Sequence, residues 1–157
     1  MEIRLINKTE IVAVHKLINT TITTSWPAYY PQFSIDYVLK EELTLDKIRN
    51  TISTSHFYVV HGGETIIGCG GISACKESLT ESVINTFFVS PRHQGKGIGK
   101  LIIRTLENDE YGKRAQRIEV PSSIAGLPFY IKSGYTHKGG KLNYKDGQFI
   151  LEKFKKE

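Results

Sequence analysis

The chain has 157 residues, of which 39% are hydrophobic and 24% are charged, and its formal net charge is +5. We expect residues 1–157 to form one domain around one core, and the apolar fraction excludes an intrinsically disordered protein. No apolar run reaches the roughly 18 residues of a membrane span, and the first residues lack the apolar segment of a signal peptide, so we expect a cytoplasmic protein.

A strand and a helix are predicted at the start of the sequence. Residues 2–6 place Ile3 and Leu5 on one side of a short strand. Asn7 and Glu10 have the spacing of a helix capping box. Apolar residues then recur with the helical period, which predicts an amphipathic helix after the box.

A loop and two further helices are predicted next. Residues 26–33 contain two prolines and four aromatic residues, a composition typical of an ordered loop. Ser34 and Thr44 stand where N-caps are expected, and apolar residues follow each of them at helical spacing.

Three strands follow these helices. Residues 56–61 and 65–73 are rich in β-forming residues, and Gly62-Gly63 between them is a hairpin signal. Glycines within the second of these strands indicate a bulge or a close approach of another backbone. Residues 82–89 are apolar on both faces, which is typical of a central strand.

The rest of the chain predicts a helix, a strand, a second helix and a β-hairpin. Their expected ranges are 98–106, 117–120, 123–133, and strands 135–143 and 148–154 around a turn at Asp146-Gly147. An antiparallel meander followed by a βαβ unit predicts an α/β (α+β) fold, with a mixed, largely antiparallel central sheet and helices on both faces.

A glycine-rich turn joins the central strand to the helix that follows it. Pro91 ends the strand, and Gly95, Gly97 and Gly99 lead into the helix. Glycines let backbone N–H groups approach a ligand closely, and a helix N-terminus favours an anion. The turn therefore predicts a phosphate or pyrophosphate site, the alternative being a glycine-rich turn without a ligand.

Two segments resemble a known family. Lys100 breaks the dinucleotide fingerprint, and the P-loop pattern also fails. Gln94, Gly97 and Gly99 resemble instead the acyl-CoA motif Q/R-x-x-G-x-G/A of the GNAT acyltransferase superfamily. Residues 120–135, with VPSS followed by FYIKSGY, resemble a second GNAT segment. The order of predicted elements is similar to that family over nearly the whole chain.

The resemblance implies a GNAT fold and acetyl-CoA as cosubstrate, with no metal. Backbone amides of residues 94–99 would hold the CoA pyrophosphate, and the end of the central strand would pair with the pantetheine arm. The residues implied as acetyl-CoA contacts are Phe88, Val89, Gln94, Gly95, Lys96, Gly97, Ile98, Gly99, Lys100 and Ser123.

The resemblance also implies an N-acetyltransferase in which Tyr130 protonates the departing thiolate after direct attack by a primary amine. Tyrosine, with an ordinary pKa near 10, is a neutral donor at neutral pH, and the less favoured alternative is that Tyr130 only packs its ring and finds any hydrogen bond. The family often has Asn at the position of Pro121 and Glu at the position of Val83. Glu81 and Glu119 are therefore the candidate general bases, with proton release to water as the alternative.

The expected acceptor is a small-molecule or peptide amine that the sequence does not identify. The aromatic residues of the loop at 26–33 either line its pocket through apolar and cation–π contacts or cover the core. These candidates are Trp26, Tyr29, Tyr30 and Phe33. Two cysteines, Cys69 and Cys75, are too few for a disulfide framework, and a ping-pong route through either is the less favoured alternative to direct transfer.

Two functions of other classes stay open. Pro121 and Val83 favour a non-catalytic acyl-CoA sensor or regulatory module. The positive charge is compatible with nucleic acid, but the basic residues are dispersed and no binding motif is present. We therefore expect neither a nucleic-acid nor a membrane partner, and the C-terminal strand offers an edge at which a homodimer can form.

Overall fold

A central sheet of eight strands organises residues 1–155, which the computed structural model describes. The strands are β1 (Glu2–Leu5), β2 (His56–Gly62), β3 (Thr65–Ala74), β4 (Glu81–Val89), β5 (Arg117–Ser122), β6 (Thr136–His137), β7 (Tyr144–Lys145) and β8 (Gln148–Phe154). The helices are α1 (Ile11–Ser25), α2 (Gln32–Tyr37), α3 (Leu45–Ser53), α4 (Ile98–Asn108), α5 (Glu110–Arg114) and α6 (Leu127–Lys132).

The strand order is β1-β2-β3-β4-β5-β8-β6, and β7 pairs with β8. All pairs are antiparallel except β4 with β5, which are parallel and joined only over Glu81–Val83 and Arg117–Glu119. Beyond these pairs the two strands separate. We term the gap between residues 84–89 of β4 and 120–122 of β5 the β4–β5 opening.

Two hydrophobic cores cover the two faces of the sheet. The first core lies under α1, α2 and α3, and includes Val14, Ile18, Ile22, Ile35, Ile48 and Phe57. The second lies under α4 and α6, and includes Ile84, Ile98, Ile102, Leu106, Val120 and Tyr130. This confirms the predicted mixed, largely antiparallel sheet with helices on both faces. No helix within residues 1–155 is long and apolar enough to cross a membrane.

The glycines of β3 lie at a bulge whose extra residue is on β4, and at a close approach by a side chain of α4 rather than by another backbone. The register between β3 and β4 shifts between Cys69 and Gly71. A Cβ on Gly70 would lie 2.9 Å from Ile102 of α4, so only glycine lets the helix pack this closely. On the opposite strand Thr86 has a φ of +51°, a strained value for a β-branched residue. The bulge therefore bends β4 where it lines the opening.

The prediction for residues 26–33 was only partly right. Trp26–Ala28 form a 3₁₀ turn, and α2 already begins at Gln32. Its N-cap is Pro31, in an extended conformation, whereas Ser34 lies inside the helix. The error arose because a proline was taken to exclude helix, although a proline just before a helix leaves its hydrogen bonds intact.

The strand predicted over residues 135–143 was wrong in its extent. Strand pairing covers only Thr136–His137 and Tyr144–Lys145. Between them Gly139 and Gly140 have φ values of +79° and +77°, which a strand cannot contain. The turn at Asp146-Gly147 is confirmed, with both φ values positive as a type I′ turn requires.

The short helix α5 was not predicted. Asp109 caps it by accepting a hydrogen bond from the Tyr111 N–H at 2.9 Å. A five-residue helix containing a glycine carries too little periodic signal to be detected from sequence.

Candidate active site

On the β5 side of the β4–β5 opening, the backbone of Pro121 can accept a hydrogen bond but cannot donate one. Pro121 lies opposite Ile150 of β8, but the Ile150 N–H donates to the Asn143 carbonyl at 2.9 Å instead. Pro121 therefore belongs to a pair that exchanges no hydrogen bonds, and its nitrogen and carbonyl face the opening. Because proline has no N–H, this position offers only its carbonyl oxygen.

The β4 wall supplies the complementary donor. The Ser90 N–H donates to the Ile67 carbonyl at 2.8 Å, and the alternation of the antiparallel ladder then turns the backbone groups of Val89 into the opening. The Gln94 amide donates to the Val89 carbonyl at 3.1 Å. The same alternation directs the Phe88 N–H towards β3. Of the two predicted strand-end residues, Val89 thus presents its N–H to the opening.

The glycine-rich turn has the geometry of an anion site. Gly95 and Gly97 have φ values of +76° and +85°, and an added Cβ on either would meet no atom within 4 Å. Gly97 precedes α4, whose first turn contains no acidic side chain and whose N-cap has no side-chain hydrogen bond. The N–H groups at this helix start have no partner within the helix. Open space and unpaired donors together fit a pyrophosphate.

The other predicted members of the turn differ in what they contribute. Lys96 and Lys100 are exposed at the turn, whereas the Ile98 side chain is buried in the core under α4. A Cβ on Gly99 would lie 2.9 Å from the Phe129 ring. Gly99 therefore allows α4 to approach α6, a packing role that the sequence motif did not reveal.

Tyr130 lies beside the opening on α6. Its side chain is only 5% exposed, and its ring packs edge-on against Phe87, Phe129 and Tyr135. Burial raises its pKa well above 10, and proximity to the Cys69 thiol adds to that rise. The hydroxyl therefore keeps its proton through the neutral and alkaline range, as a proton donor must.

Ser123 shapes the turn that leads into α6. Its hydroxyl oxygen accepts a hydrogen bond from the Gly126 N–H at 3.1 Å, and its carbonyl accepts one from the Ser122 hydroxyl at 2.8 Å. The predicted helix 123–133 consequently begins only at Leu127, after this turn. In the structure the Ser123 side chain orients the helix that carries Tyr130.

The two candidate bases lie at the paired end of β4 and β5. Arg117 donates to Glu81 at 3.2 Å, to Glu119 at 2.6 Å and to Glu152 of β8 at 2.7 Å, and Lys138 lies 3.0 Å from Glu119. Burial alone would raise the pKa of Glu119, but the bonds from Arg117 and Lys138 outweigh it and lower that pKa. A carboxylate so stabilised is a weak proton acceptor.

The aromatic candidates divide into two pairs. Trp26 and Tyr30 stack with ring centroids 4.8 Å apart and pack against the core under α1. The Tyr30 hydroxyl is also hydrogen-bonded to Gly147 and Ile124. Tyr29 and Phe33 point outwards, with 50% and 76% of their surface exposed.

Asn85 is a polar residue on β4 that the sequence reasoning missed. Its Oδ1 is buried and has no hydrogen-bond partner within residues 1–155. A Cβ on Gly71 would lie 2.7 Å from this oxygen, so glycine there makes room for it. A single amide in the middle of a central strand was the available signal, since buried polar atoms normally have a partner.

The Cys69 thiol is poorly suited to act as a nucleophile. Cys69 is fully buried, and burial raises the pKa of its thiol to about 12. Its Sγ donates to the Thr86 carbonyl at 3.4 Å, so at neutral pH it is a protonated thiol rather than a nucleophile. Across residues 1–155, no group of three or more His, Cys, Asp or Glu side chains could hold a metal ion.

Known proteins share the family and the fold of this chain. The sequence matches the acetyltransferase (GNAT) domain family over residues 30–151. No match was found among curated protein sequences. Among solved structures, the fold is similar to that of the PaiA N-acetyltransferase from Thermoplasma acidophilum in complex with coenzyme A, with a TM-score of 0.83, 18% identity and 98% of each chain covered.

Two further solved structures share the fold. An aminoglycoside 6′-N-acetyltransferase complexed with coenzyme A has a TM-score of 0.72 at 14% identity, covering 98% of this chain and 97% of that one. An acetyltransferase of the GNAT family from Staphylococcus aureus Mu50 has a TM-score of 0.73 at 15% identity, covering 98% of both chains. At such identities the likeness concerns the fold alone.

Proposed function

Because this chain belongs to the GNAT acetyltransferase family, we propose that it transfers an acetyl group from acetyl-CoA to a primary amine by direct attack. The acceptor is a small molecule or an amine carried by a peptide. The observation that carries the proposal is one continuous site: the anion turn at Gly95 and Gly97, the β4–β5 opening, and Tyr130 beside it.

Each part of acetyl-CoA would bind where the site offers the complementary polar groups. The turn and the start of α4 would hold the pyrophosphate through backbone N–H groups. The pantetheine arm would lie in the opening, where the Val89 N–H is a donor and the Pro121 carbonyl is an acceptor. Two neighbours of the same fold were crystallised with coenzyme A, which supports this ligand.

Acetyl transfer would require the protein to position the amine and to protonate the leaving sulfur. Acetyl-CoA supplies an activated thioester, so the chain must place a neutral amine against the acyl carbon and protonate the leaving sulfur. Holding the reactants together removes much of the entropic barrier. The buried Tyr130 hydroxyl would give its proton to the departing thiolate, and the proton of the amine would pass to water, because Glu119 and Glu81 are bound to Arg117 at the paired end of β4 and β5.

Calorimetric titration with acetyl-CoA tests the site, using the wild type and a Gly97→Glu variant. The new carboxylate would stand where the pyrophosphate binds, and we expect affinity to fall by about 100-fold or more through charge repulsion. The matched control is Gly63→Glu in the β2–β3 turn, which also has a positive φ (+72°) and open space around it. The control should bind like the wild type.

Two calorimetric results would contradict the proposed site or its test. A well-folded wild type that does not bind acetyl-CoA would overturn the proposal. Equal loss of binding in both glutamate variants would show that strain at a turn, rather than the anion site, was responsible.

One observation favours a second candidate, a non-catalytic acyl-CoA sensor. Pro121 leaves the β5 wall without a donor, and Val83 has no group that can accept a proton. Such a protein would bind acetyl-CoA but release no CoA with any amine in a broad screen. Release of CoA that depends on an added amine would exclude it.

A further inference from the structure

Tyr30 spans the open end of the β4–β5 opening. Its ring packs on the core under α1, against the first half of the sheet. Its hydroxyl donates to the carbonyl of Gly147, in the β7–β8 turn, at 2.8 Å. It also accepts from the N–H of Ile124, between β5 and α6, at 2.8 Å. One side chain thus connects three segments that are up to 117 residues apart.

The opening needs a connection at this place. At the closed end, β4 and β5 are held by three residue pairs, and beyond them no backbone hydrogen bonds join the two strands. On the face covered by α4 and α6, Phe87 of β4 packs on Phe129 with ring centroids 5.4 Å apart. On the opposite face, Tyr30 connects the apolar core under α1, through its ring, with the segments that follow β5 and β7, through its hydroxyl.

That opposite face is where an acceptor would enter. Helices α1 and α3 pack on β2, β3 and β4, and the corresponding face of β5 carries the Arg117 and Glu119 side chains. The other face is closed by Tyr130 and the rest of the core under α4. An amine would therefore approach the thioester from the side that Tyr30 crosses.

We infer that Tyr30 is a positioning residue whose hydroxyl fixes the width of the β4–β5 opening on its acceptor side and anchors the turn before α6. The bond to Ile124 adjoins the Ser123–Gly126 turn, and this turn leads into the helix carrying Tyr130. The catalytic consequence rests on the proposed acetyl transfer, since misplacing reacting groups by about 1 Å can cost about 100-fold in rate.

The state of the hydroxyl agrees with this role. Burial raises the pKa of Tyr30 above its ordinary value, so the proton that it donates to Gly147 is retained at alkaline pH. The bond from Ile124 opposes that rise only in part.

The test compares Tyr30→Phe with Tyr37→Phe, a matched loss of a hydroxyl on an exposed tyrosine (58% exposed) of the same segment. For Tyr30→Phe we expect kcat to fall about 10-fold or more while KM for acetyl-CoA stays within about twofold, because the pyrophosphate site is untouched. The Tm should fall by no more than a few degrees, as expected for the loss of two hydrogen bonds, and the Ile124 amide should exchange with solvent at least about 10-fold faster, since it loses its acceptor. Tyr37→Phe should match the wild type in all four measurements.

Three results would overturn the inference. They are an unchanged kcat, an unchanged exchange rate at Ile124, or a parallel fall of kcat, acetyl-CoA affinity and Tm, which is the signature of a merely structural residue. Failure of the proposed function looks different. A wild type that does not bind acetyl-CoA would overturn that function. Faster Ile124 exchange in Tyr30→Phe would still show that the Tyr30 hydroxyl anchors the segment before α6.

Discussion

At the scale of single residues, the environment of Tyr130 decides what its hydroxyl can do. A phenol in water loses its proton near pH 10, whereas the apolar neighbours of Tyr130 disfavour the charged form. The pKa is raised, so the protonated form extends to higher pH. A raised pKa also makes the Tyr130 phenol a weaker acid in the ground state, so in the proposed transfer the thiolate that develops on the leaving group would supply the driving force.

Replacing Tyr130 with Phe should lower kcat by about 100-fold and leave acetyl-CoA affinity unchanged, because only the proton donor is lost. CoA release at saturating amine, together with calorimetry, measures both quantities. The matched control is Tyr135→Phe, a buried neighbour whose hydroxyl donates to Glu107 at 2.9 Å. It should cost about 1 kcal/mol of stability and little activity.

The pH dependence provides a second check on the same residue. Because the pKa of Tyr130 is raised, kcat of the wild type should not decline between pH 8 and pH 10 through loss of this proton. A decline over that range that disappears in Tyr130→Phe would contradict the acid role in a buried site.

At the scale of elements, one carboxylate fastens α1 to the edge of the sheet. Glu10 accepts from both Arg4 amino groups at 2.9 and 2.8 Å, and His61 of β2 lies 2.8 Å away. The Asn7 N–H also donates to it at 2.8 Å, which realises this half of the predicted capping box. The bonds from Arg4, together with the one from Asn7, lower the pKa of Glu10 from 4.5 to about 2.

This shift makes the contribution of Glu10 depend on pH. A folded-state pKa below the unfolded value stabilises the fold above about pH 4.5, and that stability is lost as the pH falls towards 2. We expect Glu10→Gln to lower Tm by about 3 °C at pH 7 and by much less at pH 2.5. Thermal melts at both pH values measure the difference, and Glu2→Gln, at an exposed carboxylate 3.8 Å from Arg4, is the control. Equal Tm losses at the two pH values would contradict the assignment.

At the scale of the whole molecule, the two halves of the sheet are joined differently at the two ends of β4 and β5. At the closed end, Arg117 connects carboxylates of β4, β5 and β8. At the open end the backbones part, which leaves room for a ligand between them. The gap between β4 and β5 therefore widens from one end to the other. The ionic network lies at the closed end, and the proposed chemistry would take place at the open end.

Removing the cation of this network should destabilise the whole fold. Arg117→Gln would leave Glu119 and Glu152 partly buried without their main partner, which should cost about 3 kcal/mol of unfolding free energy at pH 7. The cost should shrink at pH 4, because without Arg117 burial raises the carboxyl pKa values and the groups take up protons. Urea denaturation at both pH values tests this. Lys138→Gln, at a 48% exposed side chain, should have little effect.

The sequence by itself determined the features that depend on neighbouring residues. Apolar periodicity located α1, α3 and α4, and the glycine spacing at residues 94–99 predicted a tight turn there and, through its resemblance, the confirmed GNAT family. These are local properties, because a helix face and a turn conformation are set within a few residues. The anion site at residues 94–99 stays a prediction. The strand predicted over residues 135–143 was wrong in its extent, because two glycines with positive φ interrupt the strand pairing there.

Only the tertiary structure decided what each candidate touches. It showed that Gly99 serves helix packing, that Glu119 is bound by Arg117, and that the Tyr30 hydroxyl meets groups 94 and 117 residues away. Such contacts leave no periodic trace in a sequence, because they depend on how strands far apart in the chain pair in the sheet. The width of the β4–β5 opening is of the same kind: it follows from where the pairing of two strands stops, and this is settled by packing on both faces at once.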